Sequence, residues 1–176
     1  MTTIKPIETI YNGYRFRSRL EARWAVFFDA MGIKYEYEPQ GVEFADGTKY
    51  LPDFLLYVRH RSYTEEDEWE PVYAEVKGVM SENDLHKIDL LSGHHPVIVF
   101  GQLPADSCEY CSVMHNDYRF HSFLFMDGDY YCALFSVHNN VRWICGSNHE
   151  EWDGGEAMDK ALLKARQARF EHGECG

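Results

Sequence analysis

Asp53 in "LPDF" and Glu75 with Lys77 in "AEVKG" are three side chains whose types and order suit one chemistry. Side chains alternate along an extended segment, so Glu75 and Lys77 share a face, about 7 Å apart along it. A hairpin joining the two segments would set Asp53 alongside Glu75. Two carboxylates that close repel each other unless a cation lies between them. A hard divalent ion such as Mg2+ takes one or two carboxylates and completes its shell with water and phosphate oxygens. Such an ion polarises a phosphoryl oxygen and lowers the pKa of a bound water. Lys77 would stabilise the extra charge of the transition state or orient that water. The reaction these groups suit is hydrolysis of a phosphodiester.

Each group also has a purely local reading. Asp53 after Pro52 suits a turn, and Glu75 with Lys77 suits a same-face ion pair. A further acid, Glu21 in "SRLEARW", precedes them. It lies three residues after Ser18, so "SRLE" is also a capping box whose carboxylate satisfies a helix-end N–H. Both readings of Glu21 stay open. The combination, in this order and on these elements, is much rarer than any one part.

The elements that must position these groups follow from periodicity. From Ser18 the pattern predicts a helix with Leu20, Trp24, Phe27, Phe28 and Met31 on one face, stopped by Gly32. "KYEYEP" is a short alternating strand ended by Pro39. "GVEF" and the turn Asp46-Gly47 lead to "KYLPDFLLYV", one longer strand whose early Pro52 suits an edge or a strand start. Residues 62–71, "SYTEEDEWEP", are expected as an acidic, solvated hairpin loop before the strand "VYAEVKG". Ser81 and Asp84 open a second helix, with Leu85, Ile88 and Leu91 or Leu90 inward. "HPVIVFG" is a continuously apolar strand of the buried kind.

Helix, three strands, helix, strand is the order of a mixed sheet flanked by helices, an α/β sandwich. After Gly101 come "RFHSFLFM", "YYCALFSV" and "VRWIC", an aromatic β-meander. Then comes a helix with Met158, Leu162 and Ala165 against the body, joined by Ala161, Ala168 and Phe170. The expected division is a core over 1–101 and a meander-and-helix extension over 102–176, packed as one unit.

Composition bounds the partners. The 176 residues include 11 Phe, 12 Tyr and 4 Trp, enough for a packed core. Nothing resembles a membrane span or a signal peptide, so a cytoplasmic protein with no membrane partner is expected. Five cysteines, all from Cys108 onward, do not make a disulfide framework. Cys108-x2-Cys111 is half of a zinc pattern, but Cys132, Cys145, His115, His138 and His149 do not supply a second half with suitable spacing, so no structural zinc is expected. Net charge is −12, which argues against a polyanionic partner. The charge is uneven: residues 1–61 hold 9 Lys/Arg against 8 Asp/Glu, and the rest hold 8 against 21. Arg15, Arg17, Arg19 and Arg23 gather at the start of the first helix and suit phosphate contacts, with a solvated, ion-paired helix flank as the plain alternative. Arg59, His60 and Arg61 close the long strand and could act likewise. The aromatic meander is read as core rather than as a base-stacking platform.

The segments "YRFRSRLEARWAVFFDAMGIKYEYEP", "YLPDFLL" and "AEVKG" resemble the PD-(D/E)XK nuclease superfamily in its phage and prophage form, and "KARQARFEHGE" is similar to the end of those phage proteins. The first half also resembles the nuclease domain of transposon end-cleaving enzymes. The resemblance is dense over 14–78, thin from 101 to 155, and returns near 156–174. It implies a restriction-endonuclease-like αβββαβ core and a Mg2+-dependent endonuclease acting on DNA, with Mn2+ as substitute. Asp53 and Glu75 would be metal ligands with the Val76 carbonyl as a third, Lys77 the catalytic lysine, and Glu21 a further acid at the metal or its water. The implied setting is phage DNA processing, recombination or attack on foreign DNA in a host cytoplasm. Two rivals stand beside it. One is a non-catalytic acidic binding or DNA-mimic protein on the same fold, docking a host or phage protein through its acidic C-terminal part. The other is a structure-selective junction resolvase, for which a homodimer would be expected.

Overall fold

The computed structural model describes residues 6–60, 68–104, 122–126, 129–138, 140–145 and 155–170. The chain opens with a hairpin, β1 (Thr9–Tyr11) and β2 (Tyr14–Phe16), turned at Asn12-Gly13 with φ of 46° and 82°. Positive φ at both central residues is what an Asn-Gly hairpin turn supplies. Helix α1 (Arg19–Met31) begins where Ser18 accepts the Glu21 N–H and ends at Gly32, whose φ of 72° lets its own N–H and that of Ile33 reach the last carbonyls.

The order continues with β3 (Lys34–Tyr37), β4 (Val42–Glu43), β5 (Lys49–Tyr50), β6 (Phe54–His60), β7 (Glu68–Val76), α2 (Glu82–Ser92) and β8 (Val97–Phe100). Strands β9 (Ser122–Met126), β10 (Asp129–His138) and β11 (Asn140–Cys145) and helix α3 (Gly155–Gln167) complete it. Seven strands form one mixed sheet in the order β11-β10-β9-β8-β7-β6-β3. The pairs β7–β8 and β11–β6 are parallel and the others antiparallel. The parallel pair β7–β8 is joined through α2, since parallel neighbours need a crossover. The β11–β6 pairing, Arg142 to Arg59 and Trp143 to His60, curls the meander back onto the end of β6.

Apolar side chains pack on both faces of this sheet. One cluster sets Trp24, Phe27 and Phe28 of α1 and Met158, Leu162 and Ala165 of α3 against Phe54, Leu56, Val72, Ala74, Ile98 and Phe100. The other sets Ile88 and Leu91 of α2 against Val97 and Val99, with Tyr50 and Tyr73. Helix α1 is buried more broadly than a single stripe, with Ala22, Ala25 and Val26 also inside, because the sheet holds one side and α3 covers another. The Trp24 indole donates to the Gly101 carbonyl at 2.9 Å, which satisfies the one polar atom of that ring. Among the described residues, no helix is long and apolar enough to cross a membrane.

Three expectations need correcting. The stretch "KYLPDFLLYV" is not one strand. Its start, β5, pairs with β4 in a separate two-stranded sheet, and β6 begins only after Pro52-Asp53. Proline lacks the N–H a ladder needs, so the chain breaks there and changes sheets. Of the two places Pro52 suits, the edge is not taken, since β3 and β7 flank β6, whereas the strand start is, with β6 beginning at Phe54. Strand β7 starts at Glu68, inside the expected loop, and Pro71 is paired with Tyr57. Pro71 is tolerated because β8 joins that side of β7 only from Tyr73 onward. The predicted faces of α1 and α2 hold, with Leu91 rather than Leu90 buried at the end of α2, while α3 stops at Gln167, so Ala168 and Phe170 pack on the core from beyond the helix. Cys108, Cys111, His115, His149 and Arg61 lie outside the described residues.

Candidate active site

The break at Pro52 is what makes the site. Register along β6–β7 pairs Phe54 with Ala74, so Asp53 falls just beyond the strand, level with Glu75. Three bonds hold it there. The Asp53 N–H donates to Glu75 Oε1 at 3.2 Å, its carbonyl accepts the Glu38 N–H at 2.8 Å, and its Oδ2 accepts the Val76 N–H at 2.9 Å. Asp53 is 4% exposed and Glu75 1%. Phe54, the next residue, locks the corner from behind, with its ring centroid 5.3 to 6.0 Å from those of Phe16, Phe28, Tyr35 and Tyr37.

Two cations close on this pair. Lys77 Nζ lies 2.7 Å from Glu75 Oε2 and 3.7 Å from Oδ1 of Asp84, in the first turn of α2. Its backbone is fixed by an N–H bond to the Phe100 carbonyl at 2.8 Å. Arg17 Nη2 donates to Asp53 Oδ1 at 3.1 Å, and Arg17 Nε meets Glu38 Oε1 at 2.8 Å. Four carboxylates (Glu38, Asp53, Glu75 and Asp84) thus share two cations, a deficit of two charges. Burial, then the neighbouring Glu75 charge, pushes the Asp53 carboxyl up to about 7, against the pull of Lys77, the Val76 N–H and Arg17. Burial alone would lower the Lys77 pKa, but Glu75, Asp53 and Asp84 outweigh it and hold the ammonium charged.

A divalent cation fits this donor set. Asp53, Glu75 and the Val76 carbonyl are hard oxygen donors on adjacent backbone, and their surplus charge matches a doubly charged ion. Among the described residues no group of three or more His, Cys, Asp or Glu side chains is arranged to hold a metal. Two carboxylates with water and phosphate suffice for Mg2+, which keeps much of its hydration.

Glu21 is placed differently. Its Oε1 accepts the Ser18 hydroxyl at 2.7 Å, and its Oε2 accepts the Tyr37 hydroxyl at 2.7 Å and the Arg17 N–H at 3.1 Å. Both oxygens are occupied in starting α1 and seating Arg17, whose guanidinium then reaches Asp53. The geometry agrees with the capping reading of Glu21, and its link to the carboxylate pair runs through Arg17. Of the other arginines, Arg15 lies exposed, 3.7 Å from Glu8, while Arg19 and Arg23 line a separate cavity with the end of α3.

Sequence reasoning missed four contributors. Glu38 has a φ of 46°, a left-handed backbone costing about 1–3 kcal/mol in a non-glycine residue, and it bonds both Asp53 and Arg17. Asp84 is legible as a cap, with one oxygen on Ser81, but not as a partner of Lys77. Tyr37 presents its hydroxyl to Glu21 and the Arg17 N–H. Tyr50 places a buried hydroxyl toward Glu75 without closing a well-formed hydrogen bond. Burial and the Glu75 charge keep it firmly protonated. Only the alternation in "KYEYEP" pointed at one of them, Tyr37.

The Asp53 shift has a pH consequence in chelated protein. A carboxyl whose pKa is higher in the folded state takes up a proton on folding, so it adds stability at low pH. That contribution is complete below the unfolded value near 4 and is lost as pH rises through about 7. The melting temperature of the chelated protein should therefore fall between pH 5 and pH 8, and Asp53→Asn should flatten that slope. Equal slopes in both proteins, read by calorimetry, would contradict this. Comparison of the chain with protein-family models, with curated proteins and with solved structures finds no match.

Proposed function

We propose that the protein is a metal-dependent nuclease that hydrolyses DNA phosphodiesters on a restriction-endonuclease-like αβββαβ core. The observation that carries this reading is the buried Asp53–Glu75 pair, set in a group of four carboxylates that share two cations, with Lys77 2.7 Å from Glu75. Asp53, Glu75 and the Val76 carbonyl would hold the ion. When bound there, Mg2+ supplies Lewis-acid polarisation of a phosphoryl oxygen and a water of lowered pKa. Lys77, kept charged by its acidic neighbours, donates to the phosphoryl oxygens as negative charge builds. Arg17, anchored by Glu38 and Glu21, orients Asp53 and pulls against the burial and the Glu75 charge that raise its pKa. Asp84 holds Lys77 from the far side. Tyr50 shields one edge of Glu75 from water.

Supercoiled plasmid incubated with the protein should be nicked in Mg2+ or Mn2+, and excess chelator should stop the reaction. Parallel assays on branched and single-stranded DNA separate a general nicking enzyme from a junction resolvase. A second reading draws on the same contacts. Asp53 and Glu75 already meet Arg17 and Lys77, so the group could serve only as an ion-paired corner in an acidic binding protein. That reading leaves the two-charge deficit unexplained.

A further inference from the structure

Helices α1 and α3 pack together, and where α3 ends a cavity of about 680 Å3 opens between them. It is lined by Arg19 and Arg23 of α1 and by Arg166, Gln167, Arg169 and Phe170. Among the described residues that line it, none is acidic. This is anomalous in a chain of net charge −12. Four guanidinium groups line one hollow, a local gathering of positive charge in a protein with 29 acidic residues. In addition, Arg23 Nε is buried without an acceptor. A buried donor left unmade costs about 1–3 kcal/mol, so a site that keeps one is suited to a ligand that supplies an acceptor.

The ligand's chemistry follows from the donors. Arginine forks match phosphate oxygens, and several around a groove track a backbone rather than read bases. Position narrows it further. Arg17 contacts Asp53 while Arg19 lines the hollow, and two residues of chain span at most about 7 Å. The carboxylate pair and the cavity are thus each reached from one short stretch of chain at the start of α1. We propose that this cavity binds the sugar–phosphate backbone of a nucleic-acid strand, next to the phosphate that is cut at Asp53 and Glu75. The proposal rests on the nuclease reading for its substrate, but it makes a separate claim about where the strand lies.

The test is binding of fluorescently labelled DNA, duplex and single-stranded, by protein carrying Asp53→Asn so that nothing is cut, measured by anisotropy over a range of salt. Adding Arg166→Ala with Arg169→Ala, both exposed positions, should weaken binding at least tenfold. It should also reduce the slope of log affinity against log salt by about 2, close to one per lost phosphate contact. The matching pair of lysine replacements should restore most of the slope, and Arg15→Ala, outside the cavity, should leave it unchanged. In the cutting-competent protein the alanine pair should raise KM and spare kcat. If DNA binds and the alanine pair changes neither affinity nor slope, the cavity proposal is overturned, whatever the enzyme does. If the alanine pair weakens binding but wild type cuts nothing, the cavity proposal stands and the nuclease reading falls. If no DNA binds at all, both fall.

Discussion

Asp53→Asn is expected to abolish DNA cutting and, in chelated protein at pH 8, to raise the melting temperature. The two halves have one cause. Asp53 and Glu75 are buried side by side, and burial first, then the Glu75 charge, pushes the Asp53 carboxyl up to about 7. An amide of the same shape keeps one acceptor oxygen, for either the Val76 N–H or the Arg17 guanidinium, and gives up the other bond, but it carries no charge to repel Glu75. Each kcal/mol of repulsion relieved is worth roughly 2–4 °C in a chain of this size. Activity moves the other way. Without that carboxylate the cation would lose a ligand, so a fall on the order of 1,000-fold or more is expected. If Asp53 were only a structural anchor, the asparagine protein would melt at the same temperature or lower. A melting curve beside a plasmid assay therefore separates chemistry from scaffolding.

Phe54→Ala is expected to cost about 3–5 kcal/mol, a large share of the roughly 5–15 kcal/mol that holds a domain together. Phe54 is fully buried among the rings of Phe16, Phe28, Tyr35 and Tyr37. These come from β2, α1 and β3, so the truncation opens a cavity where three elements meet. The corresponding drop in melting temperature is roughly 6–20 °C. Phe54→Leu should lose distinctly less, because most of the volume stays filled. Since Phe54 directly follows Asp53, cutting in the leucine protein should drop more than its stability does. A loss below about 1 kcal/mol for the alanine protein, in a urea titration, would contradict the packing.

Much of this was legible from local chemistry. Ser18 and Gly32 bound α1 as a cap and a left-handed stop should, and the apolar run at Val97 is the buried strand expected. Asp53, Glu75 and Lys77 meet because strand alternation and a hairpin are nearly sufficient to bring them together. The Asn12-Gly13 hairpin carries an equally local signal, an Asn-Gly turn with positive φ at both residues. Other features had no local signal. The exchange of sheets at Pro52 depends on β4 offering β5 a partner, and the strand character of Glu68 to Pro71 depends on β6 lying opposite. Glu38 adopts a positive φ that nothing in its own type favours, held by bonds to residues 15 and 21 positions away. The four arginines read as one helix-start cluster separate in space: Arg17 turns to the carboxylates, Arg15 to Glu8, and Arg19 and Arg23 to the end of α3. Only packing of α1 on α3 creates that last grouping, which offers an acidic protein a place for a polyanion.

The most direct measurement is conversion of supercoiled plasmid to nicked and linear forms by wild-type protein and by Glu75→Gln, purified alike and assayed with Mg2+ and with chelator. Glu75 contacts Lys77 and the Asp53 backbone at once, so its carboxylate is the center of the arrangement. The account predicts Mg2+-dependent cutting by wild type, none in chelator, and none by the glutamine protein although it folds. Folded wild-type protein that leaves supercoiled, branched and single-stranded DNA intact in Mg2+ and Mn2+, or a glutamine protein that cuts as fast as wild type, would contradict it.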